Sequence, residues 1–269
     1  MELRVIGCHG GETPRHRTSA FVVDEQLAID AGSLTSGLEL KSQCALKAVL
    51  VSHAHMDHVR DLATLADNRA QNRAPPLVVA GARETIAVLR KHFFNDLLWP
   101  DFTRIPSVRH PAIRLLEIRP EKPVRIAGYQ VRSIAVNHSI ACCAFVIRGE
   151  AGSLAYSGDT GPTERLWKVL NATDDLKALL MEVSFPNSES RIARASGHHT
   201  PETLQRDLRK LVRSKELPTL LYHIKPSFER QVQRVATRSL WTFQPSKRFA
   251  NIRYAGAGGA CRHVCATER

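Results

Sequence analysis

The 269-residue chain has no apolar run approaching the roughly 18 to 20 residues that a membrane-spanning helix needs, so no bilayer-crossing segment is expected. Its opening, MELRVIGCHGG, lacks a basic stretch followed by an apolar one, and no secretory leader is expected either. Six cysteines, at 8, 44, 142, 143, 261 and 265, are too sparse for the disulfide framework of a small secreted domain; reduced thiols and a cytoplasmic location are the expectation. No fixed-period repeat and no low-complexity linker interrupts the chain. The 15 glycines and 14 prolines are scattered, which excludes a collagen-like or disordered composition. Acidic side chains are in deficit, 26 against 38 Lys and Arg, giving a net charge of +12. That field favours an anionic partner without choosing among phosphates, nucleic acid and acidic lipid, and a merely solubilising surface explains it equally well. Histidine is what the chain has in surplus: there are twelve. Because imidazole is the commonest metal ligand, the question is whether they cluster with carboxylates.

Strand-like runs at Leu3 to Ile6, Thr18 to Val23, Gln26 to Ile29, Leu46 to Val51 and Leu77 to Ala80 alternate with helical spacing over Val59 to Arg73 and Glu84 to His92. Residues 93 to 123 carry Phe93, Phe94, Trp99 and Phe102 among prolines and read as an irregular lid or packing loop. Strands follow at Val124 to Ala127, Gln130 to Val136, Cys143 to Ile147 and Ser153 to Tyr156. Helix and strand then alternate: Glu164 to Leu170, Ala178 to Glu182, Pro201 to Ser214, Thr219 to Tyr222, Ser227 to Thr237 and Asn251 to Ala255. The pattern predicts an α/β protein with one domain over 1–255 and a tail, 256–269, to which no role attaches. Cys261-Arg-His-Val-Cys265 in that tail offers soft ligands, yet a single short cluster does not close a four-ligand site.

The densest chemistry lies in Val51-Ser-His53-Ala-His55-Met-Asp57-His58, three imidazoles and a carboxylate at the end of a strand. If the chain turns there from strand to helix, His53 and His55 face one point while Asp57 and His58 face a second, so one segment serves two metals about 3.5 to 4 Å apart. Burying those groups without partners would cost several kcal/mol, which ligation removes. Three further donors each follow a predicted strand: His138, Asp159 and His223. Alone, each reads as an ordinary surface or core residue; their shared position at strand ends is what links them.

With these residues in place the sequence resembles the metallo-β-lactamase-fold hydrolases, whose hallmark is HxHxDH followed by a later His, an Asp and a final His. The resemblance implies an αββα sandwich with the site at one edge of the sheets. It implies that His53, His55 and His138 hold one zinc, that Asp57, His58 and His223 hold the other, and that Asp159 bridges them. Asp30, in Ala28-Ile-Asp30-Ala-Gly, matches an early Asp that supports the metal loop. Manganese or iron would suit the same ligands, so two Zn2+ ions are the expectation rather than a reading of the donors.

The later motifs choose the branch. Met181-Glu182-Val-Ser-Phe185, Gly197-His198-His-Thr200-Pro and His223-Ile-Lys-Pro226 look like the phosphodiesterase branch, which includes transfer-RNA 3′-processing endonucleases and class II cyclic-nucleotide phosphodiesterases. Carried over, Glu182 orients and charges His198, and His198 binds a phosphate oxygen or protonates the leaving group. A Glu182 that only caps or salt-bridges a helix, and an active His199 in place of His198, stay open at this stage. Phe93-Phe-Asn95-Asp-Leu-Leu-Trp99-Pro-Asp101-Phe and Gly7-Cys-His-Gly-Gly11 are similar to segments of the cyclic-nucleotide enzymes. Asp159 and His223 are 64 positions apart, an interval filled by predicted helices and strands, which leaves no room for the long arm of the transfer-RNA enzymes. The resemblance therefore implies a dizinc phosphodiesterase, a homodimer by analogy with relatives. It would open 3′,5′-cyclic nucleotides such as cAMP or cGMP to 5′-monophosphates by attack of metal-bound hydroxide, with Asp57, Glu182 and His198 as catalytic residues. An RNA-processing enzyme of the same fold is the alternative, and a catalytically silent nucleotide-binding protein a more distant one. Arg15, Arg17 and the aromatics near 93–102 are candidate phosphate and base contacts, or ordinary surface and packing residues.

Overall fold

A computed structural model describes residues 1–212, 217–239 and 252–254. Strands β1 (Leu3–Gly7), β2 (Ala20–Val23), β3 (Leu27–Ile29), β4 (Ala48–Val51), β5 (Leu77–Gly81) and β6 (Ile113–Glu117) lie in chain order across one sheet. The second sheet contains β7 (Val124–Ile126), β8 (Tyr129–Ala135), β9 (Cys143–Gly149), β10 (Gly152–Tyr156), β11 (Leu176–Glu182) and β12 (Thr219–Tyr222), again in sequence order. The last strand, β13 (Ile252–Tyr254), returns to the first sheet and pairs in parallel with β1.

Strand periodicity explains why two sheets stack with helices outside. In β4, Ala48 and Leu50 point into the core between the sheets, while Val49 and Val51 point outward. In β11, Ala178 and Leu180 face inward, and Leu179 and Met181 face outward. Both faces being buried, these strands read as continuous apolar runs rather than as alternation. On the first sheet's outer face lie α1 (Leu34–Gly37), α2 (Leu40–Ala45), α3 (Met56–Val59), α4 (Leu62–Gln71) and α5 (Arg83–Val88), which contribute Leu34, Leu62, Leu65 and Ile86. On the second sheet's outer face lie α6 (Arg165–Asn171), α7 (Ser190–Ser196), α8 (Pro201–Leu208) and α9 (Glu229–Ser239), with Leu166, Trp167, Leu204 and Val232 in the core. The result is the αββα sandwich.

Several elements differ from the sequence reading. The expected 59–73 helix is two pieces, a one-turn α3 and then α4 from Leu62, and the 84–92 helix ends in a π turn over Leu89–Phe93. The stretch 93–123 is not wholly irregular: Ile113–Glu117 pairs in parallel with β5 as an edge strand whose solvent side hid the apolar pattern. Phe93, Phe94 and Phe102 pack in the outer core, and the Trp99 indole donates to the Ala63 carbonyl at 3.1 Å, so these rings hold the loop down rather than stand free to meet a base. Helix α8 stops at Leu208, short of Ser214. The short α1, α2 and α7 carried too little periodicity to be read. Cys261, Cys265 and the rest of 256–269 lie outside the described residues. Among the described residues no helix is long and apolar enough to cross a membrane.

Trp167 ties α6 to α8. It is 1% exposed, and its indole N–H donates at 3.0 Å to Asp207, which also accepts the Thr163 backbone N–H at 2.9 Å. Truncating Trp167 to Ala should cost about 3–5 kcal/mol. It should lower the urea midpoint with an unchanged slope; an unaltered midpoint would place the indole outside the cooperative core.

Candidate metal centre

Six strands end at one edge of the sandwich, and the candidate ligands sit just past those ends. Asp30 follows β3, the His53–His58 segment follows β4, His138 follows β8, Asp159 follows β10, Glu182 closes β11, and His223 follows β12. His55 is the extended residue before α3, so Asp57 and His58 open a helical turn while His53 and His55 remain on the extended arm.

The structure brings all seven expected ligands together in two adjoining sets. His53 Nε2 is 2.9 Å from His55 Nδ1, which is 3.2 Å from His138 Nε2. His58 Nε2 is 3.2 Å from His223 Nε2, and Asp57 Oδ2 is 3.2 Å from His223 Nε2. Asp159 Oδ2 stands between the sets, 3.7 Å from His53, 3.3 Å from His58 and 3.2 Å from His223. These separations resemble the roughly 3.3 Å between donor atoms that share one tetrahedral ion at Zn–N distances near 2.1 Å.

Hydrogen bonds on the far side of each ring show what the converging atoms are. The Ser52 hydroxyl donates to Asp30 at 2.8 Å and therefore accepts from His53 Nδ1–H at 3.0 Å. His58 Nδ1–H donates directly to Asp30 at 2.7 Å. The Ser184 hydroxyl donates to Glu182 at 2.9 Å and accepts from His223 Nδ1–H at 2.9 Å, while His138 Nδ1–H donates to the Gly197 carbonyl at 3.1 Å. Where the rings of His53, His138 and His223 are neutral, each Nε2 is thus an unprotonated acceptor facing other acceptors, an arrangement that is repulsive unless a cation, or a proton drawn to His58, lies among them. Asp159 Oδ1, also buried, has no hydrogen-bond partner among the described residues. A divalent cation fits this donor set, and outer hydrogen bonds of this kind are what orient metal-binding histidines.

Electrostatics agree. Burial pushes His53 and His55 below the usual imidazole value, reinforced by the neighbouring rings, and burial likewise lowers His138. Neutral imidazoles are the ligand form. For His58 burial opposes charge, but Asp159 and Asp30 outweigh it and draw positive charge onto the ring, the same charge an ion would bring. Burial would raise Asp57 and Asp159, yet the surrounding histidines hold both carboxyls well below the ordinary range.

Glu182 and His198 stand beside the centre. His198 is 7% exposed, stacks on His223 at 5.3 Å between ring centroids and lies 4.9 Å from His138. Its Nδ1 is 3.1 Å from Ser184 Oγ and 3.5 Å from Glu182 Oε2. Burial disfavours charge on His198, but ionised Glu182 raises its pKa, and His198 in return keeps the fully buried Glu182 ionised. His199 points elsewhere: fully buried, it has Nδ1 3.1 Å from Thr203 Oγ1 and Nε2 3.8 Å from Asp207. Helix α8 is capped by Thr200 and Thr203 rather than by Glu182. Glu182 does accept the His199 backbone N–H, at 2.8 Å. Arg15 is exposed, and the half-buried Arg17 lies beside Gly37.

The sequence reading assigned no role to Ser52, Ser184, Tyr156, Gly197 or Gly10. Tyr156 OH donates to Asp30 at 2.5 Å. A Cβ on Gly197, whose φ is +69°, would stand 2.7 Å from His138 Cα, and one on Gly10 would stand 2.6 Å from the His223 carbonyl oxygen. His223 and Asp30 themselves occupy the left-handed region, at φ 67° and 56°, an uncommon placement for residues with side chains. The serines stand beside His53 and Glu182 in sequence, but neither their partners nor the glycine contacts had a sequence signal.

An αββα sandwich with a His/Asp cation centre at one edge defines a class of metal-binding proteins. The chain belongs to the beta-lactamase superfamily, whose domain model matches residues 32–224. It is 25% identical over 278 aligned positions to a probable 3′,5′-cyclic-nucleotide phosphodiesterase of Yersinia pestis, covering 85% of this chain and 79% of that protein. Among solved structures, unliganded yeast PDE1 aligns with a TM-score of 0.73 at 20% identity over 96% of this chain and 98% of that one. Human tRNase Z, short form, aligns with a TM-score of 0.63 at 14% identity over 84% and 94%. These structures share the metallo-β-lactamase fold with this chain.

Asp30 holds two candidate ligand rings in place and touches none of the convergent ligand atoms. Asp30→Asn should weaken divalent-ion binding about 10- to 100-fold, the usual effect of losing an outer partner. Competition against a chromophoric chelator measures it, and wild-type affinity in the variant would show that the network does not hold the ligands.

Proposed function

We propose that this protein is a dinuclear metal-dependent phosphodiesterase that hydrolyses 3′,5′-cyclic nucleotides to nucleoside 5′-monophosphates. The observation that carries the reading is two sets of three donors meeting at Asp159, with the Glu182–His198 pair alongside. His53, His55 and His138 would hold one ion, Asp57, His58 and His223 the second, and Asp159 both. Two divalent cations would supply Lewis-acid neutralisation of the phosphate and an acidified nucleophilic water.

The chain's own residues do the rest. Asp30 and Ser52 fix the rings of His53 and His58, and Ser184 fixes His223, so the substrate phosphate meets a preorganised array. Glu182 keeps His198 protonated and turns its Nδ1 inward, leaving Nε2 as the donor toward substrate. As water oxygen bonds to phosphorus, the P–O3′ bond breaks in line and the His198 proton passes to the departing 3′ oxygen. Nothing covalent forms between enzyme and phosphate.

The name of the Yersinia relative supports a cyclic-nucleotide substrate. So does the interval from Asp159 to His223, whose described residues are committed to α6, β11, α7, α8 and β12. The likeness to tRNase Z keeps RNA as the competing substrate. Cytoplasmic residence belongs to the same reading, supported by the thiols Cys44, Cys142 and Cys143, which form no disulfide among the described residues. So does a homodimer, which sedimentation velocity tests.

Metal analysis combined with a panel of purine and pyrimidine cyclic nucleotides, bis-p-nitrophenyl phosphate and a precursor transfer RNA tests the proposal. Two equivalents of metal at the centre and release of 5′-monophosphate are expected; one equivalent there, or cleavage of the RNA alone, sinks it. His198→Ala should retain both ions and lose about 10²- to 10⁴-fold in turnover, the range for a general acid. Asp159→Ala should lose metal. If His198→Ala strips metal instead, the ring is a ligand and its assignment as acid is wrong.

A further inference from the structure

A second cluster of ligand-type side chains lies outside this centre and shares no donor with it: His9, His16 and Glu229. They come from the loop after β1 and from the first residue of α9, more than 200 positions away. His16 Nε2 is 3.1 Å from Glu229 Oε2, and His9 Nε2 is 3.9 Å from Glu229 Oε1. The two rings meet edge to face with centroids 4.6 Å apart. His9 is fully buried and His16 is 8% exposed, while the Glu229 side chain, at 22%, leaves one side open.

His9 is the residue that a packing role does not explain. Its Nε2 is buried and has no hydrogen-bond partner among the described residues. The ring's other nitrogen, Nδ1, lies 3.9 Å from Cys8 Sγ, so Nε2 is the nitrogen left facing Glu229. Burial, helped by His16, pushes the imidazole down to about 4, so His9 is neutral at physiological pH. A buried ring nitrogen left without a partner is destabilising. His16 is held as firmly. Thr13 and His16 exchange backbone hydrogen bonds at 3.1 and 3.0 Å, and Thr13 Oγ1 lies 2.5 Å from His16 Nδ1.

We propose that His9, His16 and Glu229 form a separate zinc site, with the two Nε2 atoms and the Glu229 carboxylate as ligands and an exchangeable fourth position on the open side. The donor separations bracket the spacing of a tetrahedral ion, and two imidazoles with a carboxylate are a zinc donor set. The site ties the 8–18 loop to the start of α9. His9 also makes parallel bridges to Thr18 and Ile224, so the ion would brace the backbone immediately after His223. This assignment does not depend on the phosphodiesterase reading, because its ligands and its test are separate from the catalytic ones.

The test uses the full chain loaded with Zn2+ alone. Anomalous difference maps from crystals of the unmutated protein, collected on both sides of the zinc edge, should show a peak among His9, His16 and Glu229. That peak should vanish in His16→Gln and in Glu229→Gln while peaks among His53–His223 persist. In solution each variant should retain one equivalent of zinc less than the unmutated protein after desalting. Should a variant fail to fold, the map of the unmutated protein still decides. No peak at the cluster, or equal zinc content in all three proteins, would leave only a His16–Glu229 hydrogen bond and overturn the proposal.

Discussion

The candidate site depends on two buried carboxylates that belong to neither ligand set. Asp30 accepts from the Ser52 hydroxyl and from His58, and through Ser52 it governs His53. Glu182 accepts from the Ser184 hydroxyl, and through it governs His223 while facing His198 directly. Each carboxylate thus uses one serine to position two histidine rings, Asp30 those of His53 and His58 and Glu182 those of His223 and His198. One anchor comes from each sheet, so the donor array exists only when the sandwich is closed. Metal binding and folding are for that reason coupled: the repulsion among inward lone pairs is a cost of the folded chain that a cation relieves.

The same logic separates the two adjacent histidines 198 and 199. Sequence leaves them equivalent, and an αL glycine at 197 settles them. By ending α7 in the left-handed conformation, Gly197 brings the chain against His138, presents its carbonyl to that ring, and sends successive side chains to opposite sides of Glu182. His198 goes to the edge of the centre, and His199 packs against α8, facing Thr203 and Asp207.

Much of the architecture was legible because local pattern and tertiary role coincide. Val49 to Val51 is apolar on both faces because both faces are buried, and His53 to His58 packs four metal-type donors into six residues. His138, Asp159 and His223 were found by their positions at strand ends. What stayed hidden was either short or non-local. Ile113–Glu117 is an edge strand with one wet side and so lacks a clean period, and α1 and α7 span too few turns to show one. The roles of Ser52 and Ser184 depend on which carboxylate comes near, which no residue spacing encodes. His9 and Glu229 are brought together only by the closing of the second sheet onto the 8–18 loop, as its bridge to Ile224 records.

The pairing of β1 with β13 bears on how the protein is made. Leu3 to Val5 lie in register with Ile252 to Tyr254, so β1 waits for a strand made about 245 positions later. Until then β1 is an open edge, able to pair with another nascent chain. Synthesis at about 5 to 20 residues per second holds that edge open for on the order of ten to fifty seconds.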